Sequence, residues 1–327
     1  RPDVIHVQYQ TGAFRMRLGV NLLPWINKLR GGQPPVVVTF HDLNEPYVFP
    51  KIGRARHLAT MLLAAGSDAV VLTNPEDYRR VVGRATNGRA RRAWGRTRVV
   101  AIPIGSNIPP IGTNYDRHRF RERIGMRADE IVIGFFGFLV PGKGLQQLVD
   151  SFETLVERGR AIRLLMVGAG GGDTANSDRP YEVSLRQRLE RPQLRDRVTW
   201  TGFLQSADVA AYLSAADICC LPFRNGVSLR HGTLVAAIEQ GLPIISTSGP
   251  GAVPHASFPN LIPDHNVVLV PPGDSSALAD AIERLSDDPK LRAKLSSSAL
   301  ALAAGFSWET IAVSSHRLYE DLTSSVV

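Results

Sequence analysis

The sequence predicts an α/β protein built on two doubly wound parallel sheets. Three observations carry that expectation. The chain has 327 residues with 44% hydrophobic side chains, more than one core fills. Short β-branched runs recur between stretches of helical periodicity. Glycine-rich segments follow several of those runs, where strands of such a sheet turn into helices.

In the first half, strands are expected at Val4–Val7, Val36–Thr39, Ala69–Leu72 and Val99–Ile102. Asn74 as cap and Pro75 at the first position open a helix behind the third. From Ile102 to Asp129 the chain is rich in Pro and Gly and then charged, which reads as an interdomain linker. Further strands are expected at Ile131–Phe136, Ile162–Val167, Val198–Thr201, Ile218–Leu221, Ile244–Ser246 and Val267–Val270. After Gly144, the residues Leu145, Leu148, Val149, Phe152, Leu155 and Val156 repeat at helical spacing and would cover one face of a sheet. Ser307-Trp308-Glu309 opens a last helix. The division that follows is 1–110, 111–303 and a terminal helical segment 304–327. The first strand begins almost at once and no initiator Met precedes it, so a longer native protein is expected.

Composition narrows the function. No run of eighteen apolar residues occurs and no signal-peptide pattern opens the chain, so a soluble, cytoplasmic protein is expected. Cys219 and Cys220 are adjacent on an expected strand and point to opposite faces, poorly placed to pair or to bind a metal. The net charge is +8, and Arg84, Arg89, Arg91, Arg92, Arg96 and Arg98 fall in one stretch with no acid. That run is either a solvated loop or a contact for an anionic membrane surface. Nucleic acid is not the expected partner, because Trp94 is the one aromatic there and no stacking platform is visible.

Several loops could carry chemistry. Gly137 to Gly144, with Phe138 and Lys143 inside it, nearly spells a phosphate-binding loop, but Gly144 stands where a Mg²⁺-binding hydroxyl is needed. What remains is an anion site: glycines, a helix N-terminus with free amides, and the Lys143 charge, against a bare glycine turn as the alternative. Gly168 opens a second glycine-rich segment, in which Asp173 breaks the dinucleotide pattern; the edge of a ligand cleft or a plain loop remains. The third loop brings Ser228, Arg230, His231, Gly232 and Thr233 to another helix start, with Arg230 as candidate phosphate ligand. His41 ends a buried strand and should face a cleft rather than the core, whereas His6 lies inside a strand and reads as structural. No Asp-x-Asp pair exists, so a metal-dependent diphosphate site has no support and neither metal nor cofactor is expected.

Thr39-Phe40-His41-Asp42, Gly105-Ser106-Asn107, Phe136 to Gly144, Val167 to Gly170, Thr201-Gly202-Phe203, Ala216-Asp217-Ile218, Pro222-Phe223 and Gly241 to Ile245 occur in an order and spacing that resembles the family 4 glycosyltransferases. The resemblance implies a GT-B fold: two Rossmann-like domains facing a cleft, acceptor on the first, donor nucleotide on the second, and a C-terminal helix returning to the first. It implies transfer of a sugar from a nucleotide diphosphate sugar, with retention of configuration, to a glycan, lipid-linked or small-molecule acceptor. By the same resemblance Lys143 is the phosphate-binding lysine, Gly137 lies under the diphosphate and His41 contacts the transferred sugar. Two departures stand out: Phe138 where the family often has Arg, and Ser228 and Ala236 where it often has paired glutamates. The first domain is short of strands that members place before Val4. A same-fold epimerase or hydrolase, and a catalytically silent binding subunit, are the rival readings.

Overall fold

In a computed structural model, the described residues are 2–10, 14, 19–31, 34–43, 53–85, 97–168, 175–249 and 252–324. Among them the expected strands all form, each within two residues of its expected limits. They are β1 (Ile5–Tyr9), β2 (Val36–Phe40), β3 (Ala69–Leu72), β4 (Arg98–Ala101), β5 (Ile131–Phe136), β6 (Ile162–Val167), β7 (Val198–Trp200), β8 (Ile218–Leu221), β9 (Ile244–Thr247) and β10 (Val268–Val270). The helices are α1 (Leu23–Leu29), α2 (Gly53–Gly66), α3 (Pro75–Ala85), α4 (Arg117–Arg123), α5 (Leu145–Glu157), α6 (Ala175–Leu189), α7 (Ser206–Ala215), α8 (Gly232–Glu239), α9 (Ser275–Asp287), α10 (Pro289–Ala303) and α11 (Trp308–Ser324). The chain divides into two units: residues 1–104 with 255–258 and 307–327, and residues 105–254 with 259–306.

The first unit holds a parallel four-stranded sheet in the order β1-β2-β3-β4. Period-two alternation sends Val36, Val38 and Phe40 with Val70 and Leu72 to one face, where Leu63 and Val81 close the core. Val37, Ala69 and Val71 point the other way and pack on Leu318 of α11, with Ile311, Tyr319 and Leu322 around it. Among the described residues, helix α11 is the helix that packs on this face. A short excursion, His255–Phe258, also belongs here: His255 and Phe258 stand edge-on to Tyr78, with centroids 4.8 and 5.9 Å away.

The second unit is a parallel six-stranded sheet in the order β10-β9-β8-β5-β6-β7. Leu145, Leu148, Val149, Phe152 and Leu155 of α5 are buried, the face that their spacing defined. The stretch expected as a linker is largely structure of this unit. Its helix α4 is capped by Asp116 and carries Arg117 and Arg121 to Asp217, at 2.7 and 2.6 Å. Burial alone would raise the Asp217 carboxyl, but the two guanidiniums and the Val132 amide hold it below the usual range. Polar anchoring rather than apolar periodicity fixes α4, which is why the sequence pattern missed it; Phe120 is its one buried residue.

Gly144 links the turn after β5 to α5 at φ +70, and a Cβ there would overlap the carbonyl oxygen of Pro222. Both the backbone angle and the space exclude a side chain. Gly144→Ser is accordingly expected to destabilise the protein by about 2–4 kcal/mol, read as a lower urea midpoint at unchanged slope.

Candidate functional site

Strand β5 runs at the centre of the six-stranded sheet, with β6 on one side and β8 on the other. The chain moves outward from β5 to β6 and β7, then returns to place β8 at the opposite edge of β5. The strand order reverses between these two neighbours, and open parallel sheets bind their ligands at such a reversal, beyond the carboxyl ends of the strands. The segments leaving those two ends are Gly137–Gly144 after β5 and Pro222–His231 after β8. Almost every second-half residue singled out from sequence lies in them or at the start of α8, and Gly168 ends neighbouring β6.

Gly137 sits at φ +146, and the space its Cβ would take is bordered by Thr233 Cγ2 at 3.4 Å and Lys143 Cε at 3.8 Å. One α-carbon thus brings the two loops together. Gly168, at the adjacent end of β6, has no room for a Cβ because the Gly137 carbonyl oxygen lies there, and its amide donates to Thr201 Oγ1 at 3.2 Å. Phe138 is 54% exposed. In one respect the turn differs from the expected amide cradle. Pro141–Lys143 form a 3-10 turn, in which the Lys143 and Gly144 amides donate to Val140 and Pro141 and the Val140 amide donates to Phe138. The turn offers the Lys143 side chain rather than those amides.

Lys143 is half-buried, with Nζ 4.9 Å above the ring of Phe223, a fully buried residue just after β8. Desolvation pulls its ammonium down to about 8. His231 stacks on the same ring at 3.7 Å between centroids and 29° between planes. Burial, followed by the charges of Lys143 and Arg230, lowers His231 to about 3, so the imidazole is neutral at any physiological pH. Its Nδ1 and the Thr233 hydroxyl are buried with no hydrogen-bond partner among the described residues. Such orphans are uncommon, and two together beside a desolvated lysine describe a site shaped for a polar ligand.

Local sequence explains the second loop. The Ser228 hydroxyl accepts from the Arg230 amide at 3.2 Å, turning the chain into α8, so buried Ser228 acts first on its own backbone. The first bonds of α8 run from the Leu234 and Val235 amides to the His231 carbonyl. By the geometry of a helix start, the amides of exposed Gly232 and of Thr233 have no acceptor within the helix. Ala236, where the resemblance sets a glutamate, is fully buried. The thiols of Cys219 and Cys220 on β8 are buried and pushed up, Cys219 to about 12, which leaves them unreactive.

In the first unit, His41 follows β2 with Nε2 2.8 Å from Gln8 Oε1. An amide oxygen only accepts, so Nε2 carries the proton and Nδ1 keeps its lone pair. Burial holds His41 below its usual range. His6 lies 2.6 Å from the Tyr319 hydroxyl and 2.7 Å from that of Thr39, a structural residue as its strand position predicts. Most of the arginine run, residues 86–96, lies outside the described residues, as does 169–174 of the second glycine segment. Arg98 of that run pairs with Asp321 at 2.7 Å. Sequence reading missed Phe223 as the platform of the site, although a Pro-Phe pair closing a buried strand was its available signal.

Comparisons with known proteins agree with this construction. Alpha-D-kanosaminyltransferase of Streptomyces kanamyceticus is 28% identical over 196 residues, 59% of this chain and 45% of that enzyme. This chain spans about half the length of the curated relatives it matches. Sucrose-phosphate synthase from Thermosynechococcus elongatus superposes with a TM-score of 0.72 at 24% identity, over 99% of this chain and 74% of the other. Anabaena HepE, solved with UDP and glucose, gives 0.71 at 23% identity over 98% and 78%. The fold is that of the GT-B glycosyltransferases. Residues 130–288, which include the loops after β5 and β8, match the family model of the Glycosyl transferases group 1.

Proposed function

We propose that the protein transfers a sugar from a nucleotide diphosphate sugar to an acceptor, with retention of configuration and without a divalent ion. One observation carries the reading. At the reversal point of the six-stranded sheet, a desolvated lysine, a neutral histidine and an orphaned hydroxyl converge where a helix begins. That combination suits an anion with polar substituents. UDP, present with glucose in the HepE structure, is the chemistry it fits.

In this reading the diphosphate lies against Gly137, Lys143 and the start of α8, with Gly168 and Phe138 at its margin. Negative charge grows on the departing diphosphate as the glycosidic bond lengthens. Lys143, Arg230 and the amides of Gly232 and Thr233 meet it, preorganised. Arg230 and Lys143 supply the positive charge that a metal supplies elsewhere. The Phe223 stack fixes the His231 ring, so its Nδ1 is held for a ligand hydroxyl or phosphate oxygen. His41, on the strength of the resemblance, contacts the transferred sugar, and its unprotonated Nδ1 accepts a sugar hydroxyl. No enzyme nucleophile takes part; the acceptor oxygen bonds to the anomeric carbon on the face from which the diphosphate departs, and its proton passes to the departing phosphate oxygen. The acceptor is lipid-linked or a growing polysaccharide, met in the cytoplasm at the anionic inner face of the membrane, with Arg84–Arg98 as one contact. Among the described residues no helix is long and apolar enough to cross a membrane.

Lys143→Met is expected to weaken UDP binding by roughly 10- to 100-fold by calorimetry while leaving uridine binding unchanged, because one charge-assisted contact to phosphate is lost. The same variant should keep or raise the melting temperature of the free protein, since a desolvated ammonium is removed. Unchanged UDP affinity would place the diphosphate elsewhere.

The Lys143 ammonium titrates near 8 when free, and a bound diphosphate raises it. Binding above that pH therefore takes up a proton. UDP affinity should hold from pH 7 to 8 and then fall by up to about tenfold per pH unit. In Lys143→Met the fall disappears.

A thermal-shift screen of UDP, GDP and ADP sugars identifies the donor by mass action. With that donor and an accepting glycan or lipid, proton NMR of the product should show the anomeric configuration of the donor, and EDTA should leave the rate unchanged. Inversion, or loss of rate with EDTA, overturns the mechanism; free sugar formed equally fast without acceptor marks a hydrolase.

A further inference from the structure

The first unit carries a stripe of large apolar side chains turned toward solvent. On α1 and the turn before it, Leu22, Trp25, Ile26 and Leu29 recur at the spacing of one helix face, and all are exposed, Leu29 at 88%. Helix α2 adds Leu58 and Leu62, one turn apart and exposed at 62% and 43%. The two helices lie side by side: Trp25 Nε1 donates to the Leu62 carbonyl at 3.0 Å, and a Cβ on Gly66 would lie 2.6 Å from that nitrogen. The two adjacent helices thus each present exposed apolar side chains. A helix of a soluble domain turns such a stripe inward, and contiguous outward patches mark interaction sites.

Charge identifies the occupant. Lys28 holds its ammonium 5.6 Å over the Trp25 ring, and Arg30 caps the helix, so cations edge the apolar stripe. In the sequence no acid falls between Asp3 and Asp42, nor between Glu45 and Asp68, the stretches that contain both helices. The combination of an indole, leucines at one level and cations with long stems beside them is how an interfacial helix meets headgroups and upper acyl chains. A protein partner of ordinary composition gives no reason for the complete exclusion of acids.

We propose that the α1–α2 face is a docking surface for an anionic lipid bilayer, with Trp25, Ile26, Leu29 and Leu58 entering the interface and Lys28 and Arg30 meeting the headgroups. The proposal stands whether or not the donor-binding loops bind a nucleotide sugar.

The test is sedimentation of the full chain with vesicles of phosphatidylcholine containing a third phosphatidylglycerol, against pure phosphatidylcholine. Wild type should bind the anionic vesicles, and 0.5 M salt should weaken binding without abolishing it. Leu29→Glu with Leu58→Glu should lower the partition at least about tenfold, since two apolar anchors are lost and two like charges face the lipid. Val183→Glu, an exposed apolar position in the second unit, should bind as wild type does. The double variant is checked by its melting temperature and by UDP binding, both expected to be unchanged; if it unfolds, Leu29→Gln alone replaces it, with a smaller loss expected. Absence of wild-type binding overturns the proposal, as does full binding by the substituted protein. A concentration-dependent dimer that these substitutions dissolve, without vesicle binding, would make the face a protein interface and equally overturn it.

Discussion

The six-stranded unit depends on main chain meeting main chain at the ends of β5, β6 and β8. Gly144 lies so close to the Pro222 carbonyl, and Gly168 so close to that of Gly137, that neither position has room for even a methyl group. Contacts of this kind cannot be made by side chains of any shape, and they fix the loops to each other rather than to solvent. Lys143 and Thr233 are carried to one α-carbon as a result, and Phe223 is left buried beneath them. The glycine at 144 that denies the loop a magnesium-binding hydroxyl is the one the packing requires.

That packing sets the electrostatics. A lysine with its ammonium over an aromatic ring loses water that the ring replaces in part, and its affinity for a proton falls. The neighbouring histidine, stacked on the same ring and near two cations, stays neutral and keeps a nitrogen unsatisfied. Both arrangements cost free energy. In the function proposed above, an anion of the right size relieves them together.

Much of this was legible in the residues. β-branched runs bounded by Gly and Pro located the strands, because burial on both faces of a parallel sheet leaves a nearly continuous apolar signal. The loops at Lys143 and Arg230 could be singled out because glycine, lysine and arginine at a strand-to-helix turn are residues that an anion site uses. That both serve one diphosphate was an expectation without a geometric basis: the reversal between β5 and β8 that brings them together is a property of strand order, which no local pattern encodes. Helix α4 escaped because Asp217 holds it through Arg117 and Arg121, an attachment nearly a hundred residues away in sequence and without apolar period. Helix α1 lies where a helix was expected between the first two strands, with Leu23 packed on the core, but its outward stripe of Trp25, Ile26 and Leu29 has meaning only once burial is known.

Helix α11 has a consequence for how the polypeptide matures. Residues 308–324 cover the face of the first sheet on which Val37, Ala69 and Val71 stand. During synthesis that face waits while more than two hundred residues of intervening chain leave the ribosome, at about 5–20 residues per second. The second unit, by contrast, has nearly all of its segments in one continuous span. The later-made portion is therefore able to reach its native state first, and the nascent amino-terminal sheet carries an uncovered apolar surface for many seconds, the interval in which a chaperone has something to hold.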